Sequence, residues 1–367
     1  MLHTHFIGHL VSWANMIGTP NSGHEAIADF LIIGAIDHAF TTNFDWLIER
    51  AGEDLGAYLV ASLTAGEANA SEANHRALLK AHGCGRRNPD QTIWTRRQLP
   101  IAQVADRIAG IRDWLAVRLS NKHLLVLGFW TDWAYLTQAL EMCLSAGHPT
   151  TVTVIDPAPA HELQARAPAL WATLHAEGAT FEHVQSSAAE VLDKLREGIS
   201  RTYVRHLLQM ASAAYQGAFG VACPPLWLGG GDIPQADLYT VRRNAEGVPI
   251  GRPARQKLPA PTAQAFGLFL LALKRVNAQR EGDLFRLADG RLVRAVNGAG
   301  RWIRAIEQEY AHEPPAGVAP DLVACIGSLD YGVPGNVVRS GRPASVVRSG
   351  SRGLWLDDAG SRSLVGL

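Results

Sequence analysis

The fold of this chain is decided by the stretch Ala39-Phe40-Thr41-Thr42-Asn43-Phe44-Asp45-Trp46-Leu47-Ile48-Glu49. An apolar segment that begins at Ile32 leads into it, and the apolar residues Phe44, Leu47 and Ile48 recur at helical spacing. A compact apolar run that changes to helical spacing predicts a strand, a turn and a helix in that order. Open α/β sheets bind ligands at such turns, because backbone N–H groups and the helix dipole point there.

The polar residues of this turn allow two interpretations. Thr41, Thr42, Asn43 and Asp45 lie where an α/β sheet binds its ligand. Asn43 and Asp45 are also good helix caps, because their side-chain oxygens accept from free N–H groups of the first turn. Taken alone, the pattern favours capping, so a binding role needs support from elsewhere in the chain.

Strand and helix patterns alternate from this stretch to about residue 197. Apolar runs at 77–83, 124–129, 151–157 and 181–184 predict strands, and a long amphipathic run at 101–119 predicts a helix. Strands that alternate with helices predict an α/β fold with a doubly wound, Rossmann-like parallel sheet.

The chain has 367 residues, a length that predicts two domains. We expect the α/β domain at 1–198, an α+β domain at 199–332, and a flexible tail rich in Gly, Ser and Arg at 333–367. In the second domain the sequence predicts hairpins around Gly247 and at Asp289-Gly290, since glycine supports tight turns between strands.

Composition excludes several classes of protein. Hydrophobic residues make up 47% and charged residues 19%, a balance that supports a packed core. The formal net charge is zero, so no overall charge attracts the chain to nucleic acid or to an anionic membrane. The most apolar window, 265–273, is too short to span a bilayer, and the start at Met1 has no signal-peptide pattern.

Cysteine usage bears on metal binding and compartment. The four cysteines are scattered and form no C-x-x-C pair: Cys84, Cys143, Cys223 and Cys325. This spacing argues against a structural zinc site and predicts four unpaired buried thiols. Free thiols suit the reducing cytosol, so we expect a cytoplasmic protein without a metal.

Further candidate residues follow three later strands: His82-Gly83, the stretch from Gly128 to Asp132, and Asp156. Parallel strands end at one edge of a sheet, so these residues are expected to converge on Thr41–Asp45. Each also has a structural interpretation. His82 would be a hydrogen-bonded structural histidine, and Gly128 would relieve crowding. Asp132 and Asp156 would cap helices.

Together, these four strand ends resemble the sirtuin-like superfamily, specifically its bacterial branch found in anti-phage defence. The resemblance covers roughly residues 20–197. It rests on three segments: Thr-Thr-Asn-Phe-Asp at 41–45, similar to the branch's Asn/Asp motif; Leu79–Gly83 with Asn88–Asp90 and Ile93–Thr95, similar to its His-Gly segment; and Val126–Phe129 with Asp132, similar to its nucleotide-side loop.

The resemblance implies that the domain binds NAD as its substrate and breaks the bond between nicotinamide and ribose. The ribose carbon then becomes oxocarbenium-like, and the imidazole of His82, with an ordinary pKa of ~6.5, would act as the base. Asn43 would hold the ribose hydroxyls or the attacking water, and Asp45 would accept from the carboxamide of nicotinamide. Asp156 would bind the adenosine ribose. The remaining expected NAD contacts are Thr41, Thr42, Gly128 and Asp132.

The chain departs from this family in two ways. The family's first strand carries a Gly-Ala-Gly-x-Ser loop for the pyrophosphate, and nothing before Thr41 matches it. Either the first strand is missing from this chain or another element contacts the phosphates; Gly298-Ala299-Gly300, in a permuted sheet, is one alternative. The family's zinc cysteines are also absent. Without a zinc module to form a cleft for an acyl-lysine peptide, water becomes the expected acceptor.

The expected function is therefore hydrolysis of NAD to nicotinamide and ADP-ribose, as an effector of anti-phage defence. A catalytically inactive nucleotide-binding or interaction module is the alternative, and an NAD-dependent protein deacylase ranks below both. The region from 199 onwards would serve as a sensor, an oligomerisation surface or a docking site for a protein partner. Neither a membrane nor direct nucleic-acid contact is expected.

Overall fold

The computed structural model describes residues 18–72, 76–131, 133–175, 178–253, 258–311, 313–314, 318–330 and 354–367. Asp132, a candidate site residue, lies outside these ranges, as do residues 333–353 of the expected flexible tail. The chain divides into two compact units, with the division after Lys194 and with Leu55–Ala57 belonging to the second unit.

The first unit alternates strands and helices. Its strands are β1 (His38–Thr41), β2 (Ala61–Ser62), β3 (Ala77–Lys80), β4 (His123–Leu127), β5 (Thr151–Asp156) and β6 (Thr180–Gln185). Its helices are α1 (Ser22–Ile33), α2 (Leu47–Asp54), α3 (Ala65–Ser71), α4 (Ala102–Arg118), α5 (Ala134–Gly147), α6 (Ala160–Arg166) and α7 (Pro168–Leu174). A longer helix, α8 (Ala188–Phe219), begins in this unit and continues into the second.

All strand pairs in the described part of the first unit are parallel, which confirms the expected α/β class. Among the described residues the strands form two three-stranded sheets, in the orders β1-β3-β2 and β4-β5-β6. The structure therefore differs from the single sheet that the sequence predicts. Because every strand within a sheet runs in the same direction, Thr41 and Lys80 end side by side in the first sheet. In the second sheet, Leu127 pairs with Ile155 next to the end of β5.

Each sheet of the first unit has its own apolar core. In the first sheet, Leu79 of β3 packs with Ile111 and Trp114 of α4. In the second sheet, Val152 and Val154 of β5 pack with a separate cluster of leucines and alanines. These cores fix the two sheets, so the residues that follow the strands lie on well-supported scaffolds.

The second unit is built on a five-stranded sheet in the order β11-β10-β9-β8-β7. Its strands are β7 (Gln279–Glu281), β8 (Leu284–Arg286), β9 (Leu292–Asn297), β10 (Leu322–Ile326) and β11 (Leu354–Leu356). Its helices after α8 are α9 (Gln235–Glu246), α10 (Ala260–Arg275), α11 (Ile303–Tyr310) and α12 (Asp358–Val365). Strands β9, β10 and β11 are parallel, whereas β7 and β8 form antiparallel pairs.

Two expectations about the second unit differ from the structure. The hairpin predicted around Gly247 is instead the end of helix α9, where Gly247 adopts a left-handed φ of 71° and its N–H caps the last turn. A glycine in this conformation serves a helix end as readily as a hairpin turn, which explains the error. Within the expected tail, residues 354–367 form β11 and α12 and pack on β10.

The four cysteines are free and buried in the structure. Within the described ranges, no three or more histidine, cysteine and acidic side chains are grouped as they would be around a metal ion. No helix in the same ranges combines the length and the apolar character that crossing a bilayer requires.

Candidate functional site

The loop that follows β1 is fixed against the segment that follows β3. The Ala81 N–H donates to the carbonyl of Thr41 at 3.0 Å, and the Gly85 N–H donates to the carbonyl of Phe44 at 2.8 Å. The Phe44 ring stacks on Trp94, with 4.7 Å between the ring centroids. The two candidate segments of the first sheet are thus held side by side, as parallel strands require.

His82 contacts residues that follow a strand of each sheet of the first unit. It follows β3, and its ring hydrogen-bonds the backbone of Thr42 at the end of β1. Its Nε2 also contacts the hydroxyl of Tyr135, at the start of the helix that follows β4. The Trp133 ring lies 5.6 Å from the imidazole, centroid to centroid. The histidine therefore contacts both the predicted Thr41–Asp45 turn and a segment that sequence reasoning missed.

Burial and a nearby cation keep this histidine uncharged. The pKa of His82 is lowered to about 4: burial is the main cause, the positive charge of Arg107 on α4 acts in the same direction, and the bond to Thr42 opposes both. Burial also raises the pKa of Tyr135. At neutral pH the site therefore holds a neutral imidazole beside a protonated phenol. A neutral imidazole can accept a proton.

Arg107 is the cation of this cluster. Its Nη1 and Nη2 lie 3.4 and 3.5 Å from the carbonyl of Gln91. Its Nε is buried and has no hydrogen-bond partner among the described residues. Burial lowers the pKa of Arg107, while the nearby Tyr135 acts in the opposite direction. The guanidinium is thus held by two long hydrogen bonds, close enough for its charge to act on His82 and Tyr135.

Asn43 and Asp45 differ in what they contact. The Asn43 side chain is exposed, and its backbone N–H donates to the hydroxyl of Thr41 at 3.0 Å. Asp45 Oδ1 accepts from the Leu47 N–H at 3.1 Å, which is the helix-capping role that its position in the sequence favours. Asn43 therefore lies in the turn next to Thr42, whose backbone the His82 ring hydrogen-bonds. The structure gives Asp45 a structural role, and the expected contact of Asp45 with nicotinamide stays a prediction.

Gly128 and Asp156 lie at the end of the second sheet. Gly128 has φ 55°, and apart from its chain neighbours no atom of the described residues lies within 4 Å of where a Cβ would be, so its backbone conformation explains the glycine better than crowding does. Asp156 is buried, and its Oδ1 accepts from the Ala158 N–H at 2.9 Å in the turn after β5. Their expected contacts with NAD also stay predictions.

The alternative glycine stretch lies in the second unit, between β9 and α11. The Gly298 N–H donates to Ile326, and the Gly300 N–H donates to Gly327. The Ala299 N–H donates to the side chain of Asn297. These amides are occupied by acceptors of the chain itself, whereas a phosphate loop directs free N–H groups at its ligand. The stretch is therefore built as a structural turn.

Among the described residues, sequence patterns missed three that act on His82: Tyr135 and Trp133 contact its ring, and the charge of Arg107 lowers its pKa. Trp133 and Tyr135 come just after the candidate stretch from Gly128 to Asp132. Aromatic residues at that position could therefore have identified this segment as part of the site. Arg107 lies near the start of a predicted amphipathic helix, where a charged residue is expected to be exposed. No local sequence pattern identifies it as a site residue. Only the packing of α4 beside β3 brings it to the histidine.

Comparison with known families assigns the first unit. Residues 37–177 match the family model described as "SIR2-like domain", a range that runs from the residue before β1 to just beyond α7. This match supports placing the region at 37–177 in the sirtuin-like superfamily. Such a domain indicates an NAD-related function. Comparison with curated proteins gave no match.

Proposed function

We propose that the SIR2-like domain hydrolyses NAD to nicotinamide and ADP-ribose. The observation that carries this proposal is the position of His82. An uncharged imidazole follows the carboxyl end of β3 and hydrogen-bonds the backbone of Thr42, the residue before Asn43. The matched family model, which includes both residues, supports NAD as the ligand.

The reaction needs a base more than it needs an acid. The bond between the ribose carbon and the nicotinamide nitrogen breaks, and its electron pair neutralises the positive charge of the pyridinium ring. Water then adds to the ribose carbon and gives up a proton. His82 is neutral at physiological pH and would accept this proton, while Asn43 would hold the water or the ribose hydroxyls. In the structure Tyr135 occupies Nε2, so its hydroxyl would relay the proton or move aside.

Water is the proposed acceptor because the sequence has no C-x-x-C pair for the zinc module of a protein deacylase. By the same motif resemblance, the proposed setting is bacterial anti-phage defence. The second unit would then sense the trigger, form an oligomer or bind a protein partner.

Release of nicotinamide from NAD tests the proposal. We expect release by the wild-type chain, and a loss of at least about 100-fold in His82→Ala and Asn43→Ala, the size typical for a general base or a positioned nucleophile. His161→Ala, an exposed histidine on α6, is the matched control and should retain full activity. An intact NAD pool with the wild-type protein, or equal rates in all variants, would refute hydrolysis at this site.

A second candidate is binding of NAD without cleavage. It is favoured by the contact of Tyr135 with the one nitrogen of His82 through which a base would act, and by the use of Asp45 and Asp156 in turns. Calorimetric titration distinguishes the two functions. Saturable binding of NAD that stays intact over hours supports the binding module.

A further inference from the structure

A lysine and a glutamate are buried together beneath the turn that follows β1. Lys80 is the last residue of β3, and Glu49 lies in the first turn of α2. The Lys80 Nζ lies 2.8 Å from Glu49 Oε1, and the two side chains are 2% and 6% exposed. Neither residue is explained by core packing, because an apolar side chain would fill the same space.

Such a pair is a poor source of stability. Removing two charges from water carries a desolvation cost, and apolar replacements of similar volume are often neutral or stabilising. This pair is also incompletely satisfied. Glu49 Oε2 has no hydrogen-bond partner in the described part of the chain, and the thiol of Cys84 is 3.9 Å from Oε1. Its presence therefore calls for a role other than stability.

The second partner of Lys80 indicates that role. The Lys80 Nζ also donates to the backbone carbonyl of Asp45. Two residues further along the same segment, the His82 ring bonds the backbone of Thr42. The turn is thus fastened at Thr42 and at Asp45, in both cases to the segment that carries His82. Asn43 lies between the two attachment points, with its side chain exposed.

We propose that Lys80 and Glu49 are positioning residues that set the place of Asn43 relative to the imidazole of His82. Lys80 holds the far end of the turn, and Glu49 holds the ammonium group in place and balances its charge. That balance matters because an uncompensated cation would oppose the positive charge that develops on the ribose. Glu49 is suited to this task, since the first turn of a helix favours a negative charge. The role rests on the proposed hydrolysis of NAD.

A double variant separates positioning from stability. In Lys80→Met alone, a buried carboxylate remains without its cation, so we expect a lower midpoint of urea unfolding. In Lys80→Met/Glu49→Leu both charges are gone, and the midpoint should return to about the wild-type value. Nicotinamide release by the double variant should nevertheless fall in kcat by about 10- to 100-fold, the size expected when a reacting group is misplaced by about 1 Å. Lys80→Arg, which keeps a cationic donor, should recover part of this loss.

Amide hydrogen exchange gives a readout that needs no activity. The Gly85 N–H donates to Phe44, inside the fastened turn, so its exchange should be faster in the double variant. The backbone amides of Leu127 and Ile155, which are paired in the second sheet, are the internal reference, and their exchange rates should be unchanged. Arg86→Gln/Glu53→Gln removes an exposed ion pair of the same unit and should change neither readout.

Each outcome decides the proposal. A stable double variant with a reduced kcat and faster Gly85 exchange supports it. A stable double variant with wild-type kcat and unchanged exchange overturns it. If the wild-type protein releases no nicotinamide, hydrolysis itself has failed, and the exchange result alone shows whether the pair fastens the turn. If the double variant also unfolds readily, the pair is structural and the positioning role is refuted.

Discussion

Replacing His82 with glutamine should remove much of the acid sensitivity of this protein. Burial, together with the charge of Arg107, lowers the pKa of His82 to about 4 in the folded chain. A histidine in an unfolded chain has a pKa of about 6.5. Below pH ~6.5 the unfolded chain therefore binds a proton that the folded chain does not, so acid favours unfolding. The contribution of His82 to stability is fully present above pH ~6.5 and is lost as the pH falls towards about 4.

The size of the effect follows from the two pKa values. One pKa unit corresponds to about 1.4 kcal/mol, so the full loss from His82 is about 3 kcal/mol. Between pH ~7.5 and pH ~4.5 it amounts to about 2.5 kcal/mol of the free energy of unfolding. This is a large fraction of the total for a typical domain, which is about 5–15 kcal/mol.

Urea unfolding at several pH values measures this contribution. We expect the wild-type free energy of unfolding to fall more steeply with acid than that of His82→Gln. Burial also lowers the pKa values of His24 and His38. Their contributions to the pH dependence are the same in both proteins, so they cancel when the two free energies of unfolding are subtracted. His161→Gln, at an exposed site, should follow the wild type. If wild type and His82→Gln show the same pH dependence, burial does not lower the pKa of His82 in the folded protein.

Three further outcomes are expected. Arg107→Gln should raise the pKa of His82, because the guanidinium charge lowers it, and the acid limb of the nicotinamide-release profile should shift to higher pH; an unchanged profile would contradict this. Gly128→Ala should destabilise the protein by about 1–2 kcal/mol in urea unfolding, since φ 55° is left-handed, whereas helical Gly66→Ala should not. Asp45→Ser should keep the cap and the stability within about 0.5 kcal/mol, and should reduce nicotinamide release only if the carboxylate contacts the substrate.

Local sequence patterns predicted the strands of the first unit and the turns that follow them. The apolar runs at 77–83 and 151–157 contain β3 and β5, because buried parallel strands need apolar side chains on both faces. The run at 124–129 contains β4 except for its first residue, His123. The motif resemblance at 41–45 and 82–83 predicted the SIR2-like domain that the family model matches at 37–177. The Gly247 hairpin was wrong because a left-handed glycine ends helices as well as hairpins.

The partners of the candidate base were beyond the reach of sequence patterns. Arg107 is 25 positions from His82 in the chain and Tyr135 is 53 positions away, on two different helices. Both residues reach His82 only because of how α4 and α5 pack. Hydrophobic periodicity predicts which face of a helix is buried, but it does not predict which element covers that face. The same holds for Lys80 and Glu49. Charged residues are expected to be exposed, but both of these side chains are buried in the fold.

The sequence by itself determined the α/β class of the first unit and the candidate turn at Thr41–Asp45, because strand and helix periods and capping residues are local properties of the chain. Only the tertiary structure decided that Asp45 caps a helix, that His82 is held between Thr42 and Tyr135, and that its pKa lies at about 4. Burial and charge at a point in space depend on every element that packs around it, and these elements are distant in the sequence.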